Sequence, residues 1–402
     1  MSLDLVDTLS QLVAIPSVNP MGRPVSGPEF FEYRVTDWLQ AFFERLSLPW
    51  QRQTVEPKRD NIVARFDGVP SPGGEERIIL FEAHQDTVPV DGMTIDAWRP
   101  TVRDGRIYGR GSCDIKGGMT AMLGALARLV AEKPTPRPTL IMACTVNEEH
   151  GYSGATALTR LWTSPEASSI ISRAPDAAVI AEPTNLDVVV AHKGAVRWRC
   201  HTHGRAAHSS QPQLGDNAIY KMARVVAALE TYARDVPASL PAHPLCGRSS
   251  LSVGVIGGGL SVNTVPDRAT IEIDRRIIPG ENGETAYQQV IDYVARRTEL
   301  GSAVEHERPY LEGRSLADGP NKQLAVQLAA AARAVHGRAA EIGVPFGTDA
   351  ATIAGSGVPS VVFGPGSIDQ AHTADEWLSI DELEKASEAL YRFVGEMMNA
   401  KC

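Results

Sequence analysis

Buried strand-like segments that alternate with helical patterns constrain the fold of this chain more than any other feature. Apolar runs at 61–66, 77–83, 139–146 and 177–181 are interleaved with helix-like stretches such as 119–132. This alternation predicts an α/β fold with a mostly parallel sheet that helices cover on both faces. Because open α/β sheets bind ligands at the carboxyl ends of their strands, residues that directly follow these runs are the first candidates for a functional site.

A second type of pattern begins near residue 194 and ends near residue 308. The helices and strands predicted within it are 217–233, 251–256, 269–277 and 285–297. After residue 308 the first pattern resumes, with a strand at 360–363 and a C-terminal helix at 380–397. We therefore expect a discontinuous catalytic domain of residues 1–193 and 309–402, interrupted by an inserted α+β lid and dimerisation domain of residues 194–308.

Charge and hydropathy limit the possible partners. The chain has 39 basic and 48 acidic residues, a net charge of −9, so it lacks the basic surface that nucleic acids or anionic membranes require. No apolar run approaches the roughly 18 residues of a transmembrane helix. The five cysteines are scattered without a CxxC pair, and Asp4 and Asp7 stand where a secretory signal would be basic. We expect a cytoplasmic protein that binds a small molecule or short peptide.

Six ionisable residues follow predicted strands or lie in neighbouring loops: His84, Asp114, Glu148, Glu149, Glu182 and His372. Imidazole and carboxylate groups suit Zn²⁺ or a similar divalent ion, and this set is large enough for two ions. Each residue alone also fits a structural role, since Glu148 and Glu149 could be a solvated pair and His372 a buried structural histidine. The residue types alone therefore do not decide whether the chain binds metal.

Five sequence blocks occur in a characteristic order. They are 84–89 (HQDTVP), 109–118 (GRGSCDIKGG), 148–149 (EE), 182–184 (EPT) and 364–373 (GPGSIDQAHT). Together they resemble the M20 metallopeptidases, which include acetylornithine deacetylase, succinyl-diaminopimelate desuccinylase, aminoacylase and glutamate carboxypeptidase. The resemblance spans nearly the whole chain and implies two zinc ions per chain, with cobalt or manganese as possible substitutes.

The resemblance also implies a role for each metal-site residue. The implied ligands are His84, Asp114 and Glu182 for one zinc, and Asp114, Glu149 and His372 for the other. Asp86 matches the carboxylate that orients His84, and Glu148 matches the general base that takes a proton from the metal-bridging water. Asn147 departs from the pattern, because many relatives have Asp there, and we expect it to tune the base.

The inserted segment carries further matches. His208, in the segment 204–210, resembles a lid histidine that reaches into a neighbouring subunit's site and stabilises the oxyanion, which implies a homodimer. Asn263 and Arg276 resemble residues that hold the substrate's carboxylate. Thr348, in the segment 346–349, is a further expected substrate-binding residue.

These matches imply hydrolysis of the amide bond of an N-acyl amino acid, with acetylornithine deacetylase-like activity as the first expectation. A succinyl-diaminopimelate desuccinylase-like enzyme, or another N-acyl amino acid or dipeptide hydrolase of carboxypeptidase type, is the alternative. A catalytically silent relative that binds an amino-acid derivative is a third hypothesis, which the intact ligand set disfavours. The glycine run at 254–259 does not fit a dinucleotide-binding loop, and we expect it to form a turn.

Overall fold

The computed structural model describes residues 3–164, 168 and 170–397. The chain divides into two compact units. Unit 1 contains the residues up to Val190, Asp318–Ile342 and the residues from Thr348 onward, and unit 2 contains Ala191–Ala317 and Gly343–Gly347.

The elements are numbered in chain order. The strands are β1 (Trp50–Glu56), β2 (Arg59–Phe66), β3 (Ile78–His84), β4 (Thr101–Arg103), β5 (Arg106–Tyr108), β6 (Thr139–Thr145), β7 (Ala177–Ile180), β8 (Val188–His192), β9 (Gly194–His203), β10 (Ala207–His208), β11 (Ser250–Gly258), β12 (Thr264–Val265), β13 (Arg268–Ile277), β14 (Val304–His306), β15 (Leu311–Gly313), β16 (Glu341–Val344), β17 (Ser360–Val362) and β18 (Trp377–Ser379). The α-helices are α1 (Leu5–Val13), α2 (Tyr33–Arg45), α3 (Lys116–Glu132), α4 (Ser153–Thr163), α5 (Ala218–Ser239), α6 (Gly283–Thr298), α7 (Lys322–His336), α8 (Ala350–Ala354) and α9 (Ile380–Glu396).

The larger sheet has eight strands in the order β1-β2-β6-β3-β7-β17-β8-β16. Its four central strands, β6, β3, β7 and β17, run parallel, whereas β2 pairs antiparallel with β6 and β8 pairs antiparallel with β17. Every residue of β3, β6 and β7 is buried, as expected for strands covered on both faces. The predicted α/β fold class is confirmed.

Two helices of unit 1 have capped N-termini, and a third begins at a close contact with a neighbouring strand. Asp4 and Ser379 cap α1 and α9, because each side chain accepts a hydrogen bond from the main-chain N–H of the third residue of its helix. At the start of α3, Gly117 has no room for a side chain, because a Cβ there would lie 2.4 Å from both a Leu378 methyl and the Ser112 carbonyl oxygen. The small residue lets the first turn of α3 approach β18 closely.

Unit 2 is an antiparallel sheet with helices α5 and α6 packed on one face. The strand order is β11-β13-β9-β14, with β15 also pairing with β9. Trp198 packs edge-on against Tyr287 in the core beneath the helices. The expected turn at 254–259 is wrong, because β11 continues to Gly258 and pairs with β13 over this stretch. Cross-strand hydrogen bonds there outweigh the low strand propensity of glycine.

Every helix of the described residues is too short or too polar to span a bilayer.

Candidate metal centre

The central strands of unit 1 bring the predicted site residues to one edge of the sheet. His84 is the last residue of β3, Glu148 and Glu149 follow β6, and Glu182 follows β7. Because β6, β3 and β7 are parallel neighbours, their carboxyl ends meet at the same edge. Asp114 comes from the loop before α3, and His372 comes from the loop after β17.

Two groups of potential ligands share one aspartate. One contains His84, Asp114 and Glu182, the other contains Asp114, Glu149 and His372, and within each group the ligand atoms lie within 4.8 Å of one another. His84 Nε2 lies 3.2 Å from Oδ1 of Asp114, whereas His372 Nε2 lies 3.1 Å from Oδ2 of Asp114. Asp114 therefore directs one oxygen toward each group, which is the arrangement that a bridging carboxylate needs.

The buried carboxylates of the two groups carry negative charge that divalent cations would balance. Burial first, and then repulsion from Asp114, raises the pKa of Glu149 and raises the pKa of Glu182 well above its usual range. Oε1 of Glu149 is buried and makes no hydrogen bond. Two divalent cations would remove the repulsion between these carboxylates and give the unpaired oxygen a partner, so the residues fit a pair of metal ions.

The two histidines respond to the same carboxylates. Burial alone would lower the pKa of His372, but hydrogen bonds to Asp114 and Glu149 raise it to about 11. Burial alone would raise the pKa of Asp114, but hydrogen bonds with His372 and His84 hold it below its usual range. Both imidazoles thus stabilise the ionised form of Asp114.

Asp86 is fully buried, and its carboxylate accepts hydrogen bonds chiefly from the loop after β6. Its partners are the main-chain N–H groups of Glu148 at 3.2 Å and Glu149 at 3.1 Å, and Nδ2 of Asn19 at 2.8 Å. His84 Nδ1 lies 3.0 Å from the main-chain oxygen of Asp86 and 3.6 Å from its carboxylate. The carboxylate therefore holds the loop of Glu148 and Glu149, and the main-chain oxygen is the closer partner of the His84 ring.

Glu148 lies beside the two ligand groups. Burial, followed by repulsion from Glu182, raises its pKa well above the usual range. A carboxyl group with a raised pKa retains a proton more readily than an ordinary glutamate, which suits a group that shuttles protons. Asn147, before it, has a positive φ of 62° and accepts a hydrogen bond from Asn19 Nδ2 at 2.9 Å.

Several buried polar residues around this centre were not predicted from the sequence. Glu82 and Asp349 both accept a hydrogen bond from the Thr145 hydroxyl, at 2.5 and 3.2 Å, and burial raises the pKa of Glu82 to about 7. Glu82 had a visible signal, because it is a charged residue inside an apolar strand. Asn19 and Glu376 had no such signal, since both lie in polar loops.

The other predicted residues lie in different places. His208 pairs with Thr264 between β10 and β12, and Asn263 accepts a hydrogen bond from the N–H of Ser209 at 3.0 Å, so His208 and Asn263 share one exposed region of unit 2. Arg276 lies near the opposite end of β13, where its Nε is 2.8 Å from Asp274. In unit 1, Thr348 is buried and its hydroxyl accepts a hydrogen bond from the N–H of Ala350 at 3.1 Å.

Comparisons with known proteins agree with this geometry. The sequence profile described as peptidase family M20/M25/M40 matches residues 80–396. An acetylornithine deacetylase of Myxococcus xanthus is 30% identical over 403 residues, covering 98% of this chain and 97% of that protein. A probable succinyl-diaminopimelate desuccinylase of Staphylococcus aureus is 28% identical and covers 87% of this chain and 89% of that protein.

Solved structures show the same fold. A tripeptidase from Staphylococcus aureus superposes with a TM-score of 0.75 at 22% identity, covering 98% of each chain. The resemblance predicted from the five sequence blocks is confirmed, as is the expectation of an enzyme. The chain belongs to peptidase family M20/M25/M40, and it is a metal-dependent hydrolase.

Proposed function

We propose that this chain is a two-zinc amide hydrolase that removes the acyl group from an N-acyl amino acid, with acetylornithine as its first candidate substrate. The proposal of two metal ions rests on the placement of Asp114, whose two carboxylate oxygens face different ligand groups. The substrate is supported by the deacetylase of Myxococcus xanthus, which matches almost the whole chain.

The residues that would hold the ions follow from the two groups. His84, Asp114 and Glu182 would hold one zinc, and Asp114, Glu149 and His372 would hold the other. When bound, the ions supply Lewis-acid polarisation of the amide carbonyl and lower the pKa of water to near neutrality. The donors are imidazole and carboxylate without thiolate, so cobalt or manganese also fits.

The chain's own groups would position the reactants and move the proton. Glu148 takes the proton from the attacking water and delivers it to the amine nitrogen that leaves. Asp86 keeps Glu148 in place by binding its main-chain N–H. His208 would donate a hydrogen bond to the oxyanion of the tetrahedral intermediate in a partner subunit. Asn263, Arg276 and Thr348 form the proposed contacts to the rest of the substrate.

A homodimer through unit 2 is supported by an exposed strand edge. In the described part of the chain, β11 pairs with β13 and with no other strand. Its residues Val255 and Ile256 are 57% and 64% exposed, and Tyr220 at the start of α5 is 71% exposed. An unpaired strand edge with apolar side chains favours pairing with another strand, and a second copy of β11 is the proposed partner. We expect Ile256→Lys to shift the mass measured by light scattering from dimer to monomer, whereas a dimer that survives this change contradicts the proposed interface.

A cytoplasmic location is part of the same proposal. Cys113, Cys144 and Cys200 are free and buried, as expected for a protein of a reducing compartment.

Two other substrate classes and one silent role compete with this proposal. A desuccinylase-like activity is supported by the 28% identical relative, and hydrolysis of short peptides is supported by fold similarity to the tripeptidase. A relative that only binds an amino-acid derivative would need no proton shuttle. The presence of Glu148 beside the ligand groups therefore disfavours this role.

The deciding experiment measures metal content and hydrolysis together. The substrates are N-acetylornithine, N-succinyl-diaminopimelate, other N-acyl amino acids and dipeptides, each assayed before and after chelation. Two zinc ions per chain with chelator-sensitive release of acetate from N-acetylornithine support the proposal. Preference for another substrate moves the assignment to that class, and failure to bind metal under any loading condition contradicts the two-metal site.

A further inference from the structure

The carboxylate of Glu376 is fully buried and surrounded by hydrogen-bond donors. Its Oε1 accepts hydrogen bonds from the main-chain N–H groups of Cys113 at 2.9 Å and Asp114 at 3.0 Å. Its Oε2 accepts a hydrogen bond of 2.6 Å from Nη1 of Arg110, which is also buried. Hydrogen bonds to an ionised acceptor are shorter and stronger than neutral ones, so this carboxylate binds the 110–114 loop firmly.

The same residue belongs to the segment that carries His372. Glu376 follows His372 by four positions, and its main-chain oxygen accepts a hydrogen bond from the N–H of Gly109 at 3.0 Å. Directly after it, Trp377 pairs with Tyr108 in the β18–β5 ladder. The main chain and side chain of Glu376 therefore join the loop that carries Asp114 to the loop that carries His372.

A simple structural role as partner of Arg110 accounts for only one carboxylate oxygen. The second oxygen accepts two consecutive N–H groups, one of which belongs to Asp114. Asp86 also binds two consecutive N–H groups, that of Glu148 through Oδ1 and that of Glu149 through Oδ2. In both cases a buried carboxylate fixes the main chain beneath a candidate ligand, while the ligand's own carboxylate stays directed into the centre.

We propose that Glu376 is a positioning residue that sets the separation of Asp114 and His372, and thereby the affinity of the group formed by Asp114, Glu149 and His372 for its metal ion. The inference rests on the proposed two-metal function. Hydrogen-bonding partners of metal ligands commonly change metal affinity by about 10- to 100-fold. Loss of the contact should therefore weaken the group formed by Asp114, Glu149 and His372 more than the group formed by His84, Asp114 and Glu182, which shares Asp114 but not His372.

The test is a titration of the chelated full-length protein with Co²⁺, followed by visible absorption and by calorimetry. Glu376→Gln keeps the size of the side chain but places an amide among the donors, and Glu376→Asp keeps the charge but shortens the reach. The matched control is Leu390→Ala, which should open a cavity under the buried face of α9 and lower the unfolding temperature, and Leu390 lies outside both loops.

We expect the wild type and Leu390→Ala to bind two equivalents of Co²⁺ with the same affinities. Both Glu376 variants should bind one of the two equivalents at least about tenfold less tightly than the wild type, with a smaller loss at the other, and show an altered Co²⁺ spectrum for the weakened equivalent. Glu376 variants that fold and titrate like the wild type would overturn the positioning role, as would an equal loss in Leu390→Ala. A wild type that never binds a second equivalent would instead refute the two-metal function on which the inference rests.

Discussion

Replacement of Asp86 by asparagine tests whether the carboxylate organises the loop after β6 or acts only on the His84 ring. The carboxylate accepts three hydrogen bonds, from the N–H groups of Glu148 and Glu149 and from Asn19. An asparagine keeps one acceptor oxygen and directs an NH₂ group at one or two of these donors. The loss of one hydrogen bond to a charged acceptor, with weakening of the others, predicts a decrease of about 2–4 kcal/mol in the free energy of unfolding.

The assay is urea unfolding of the chelated protein, because metal binding then makes no contribution to the stability that is compared. Asp369→Asn is the matched control, since Asp369 is exposed and its replacement should change stability by less than about 0.5 kcal/mol. Asp86→Asn should be destabilised even without metal. If chelated Asp86→Asn is as stable as the control while its metal binding is impaired, the loop-holding role is refuted.

Three further predictions concern the base, a pH dependence and a close contact. Glu148→Gln should lower kcat by about 10²- to 10⁴-fold with unchanged metal content, as measured by steady-state kinetics and metal analysis. Burial lowers the pKa of His306 to about 4, and its neutral Nδ1 accepts the Trp198 N–H at 3.0 Å. Since the unfolded state then binds more protons between the two pKa values, stability should rise with pH from about 4 to about 6.5, by up to about 3 kcal/mol. Urea unfolding should show this pH dependence reduced in His306→Gln. Gly117→Ala should lower the free energy of unfolding by about 1–3 kcal/mol, whereas Gly395→Ala, with open space around its Cα, should not lower it.

The central strands were predictable because burial on both faces leaves a continuous apolar run in the sequence. The runs predicted at 77–83 and 139–146 correspond to Ile78–His84 and Thr139–Thr145 in the structure. The glycine-rich stretch of β11 was mispredicted as a turn, because its strand conformation comes from pairing with β13 and not from local preference. Tertiary pairing of this kind leaves no periodic pattern to read.

The candidate ligands were visible for a related reason, since parallel strands deliver the residues after them to one edge. Glu376 was not visible, because its partners are main-chain N–H groups more than 260 residues earlier in the chain. Any residue can supply a main-chain N–H, so such a contact leaves no mark on the sequence of the loop that donates it. Asn19 illustrates the same limit, because it joins Asp86 to Asn147 across 67 and 128 residues.

Main-chain hydrogen bonds hold the loops that carry the candidate ligands of this centre. Its candidate ligands are buried and repel one another, and burial first, and then this repulsion, raises the pKa values of Glu149 and Glu182. If ligand side chains alone held the loops, the carboxylates would move apart whenever the cations left. Asp86 and Glu376 bind the loops through main-chain N–H groups, which stay in place whatever the charge on the ligands. We therefore expect the ligand geometry to be held before any cation binds, so that less of the binding free energy is spent on ordering the loops.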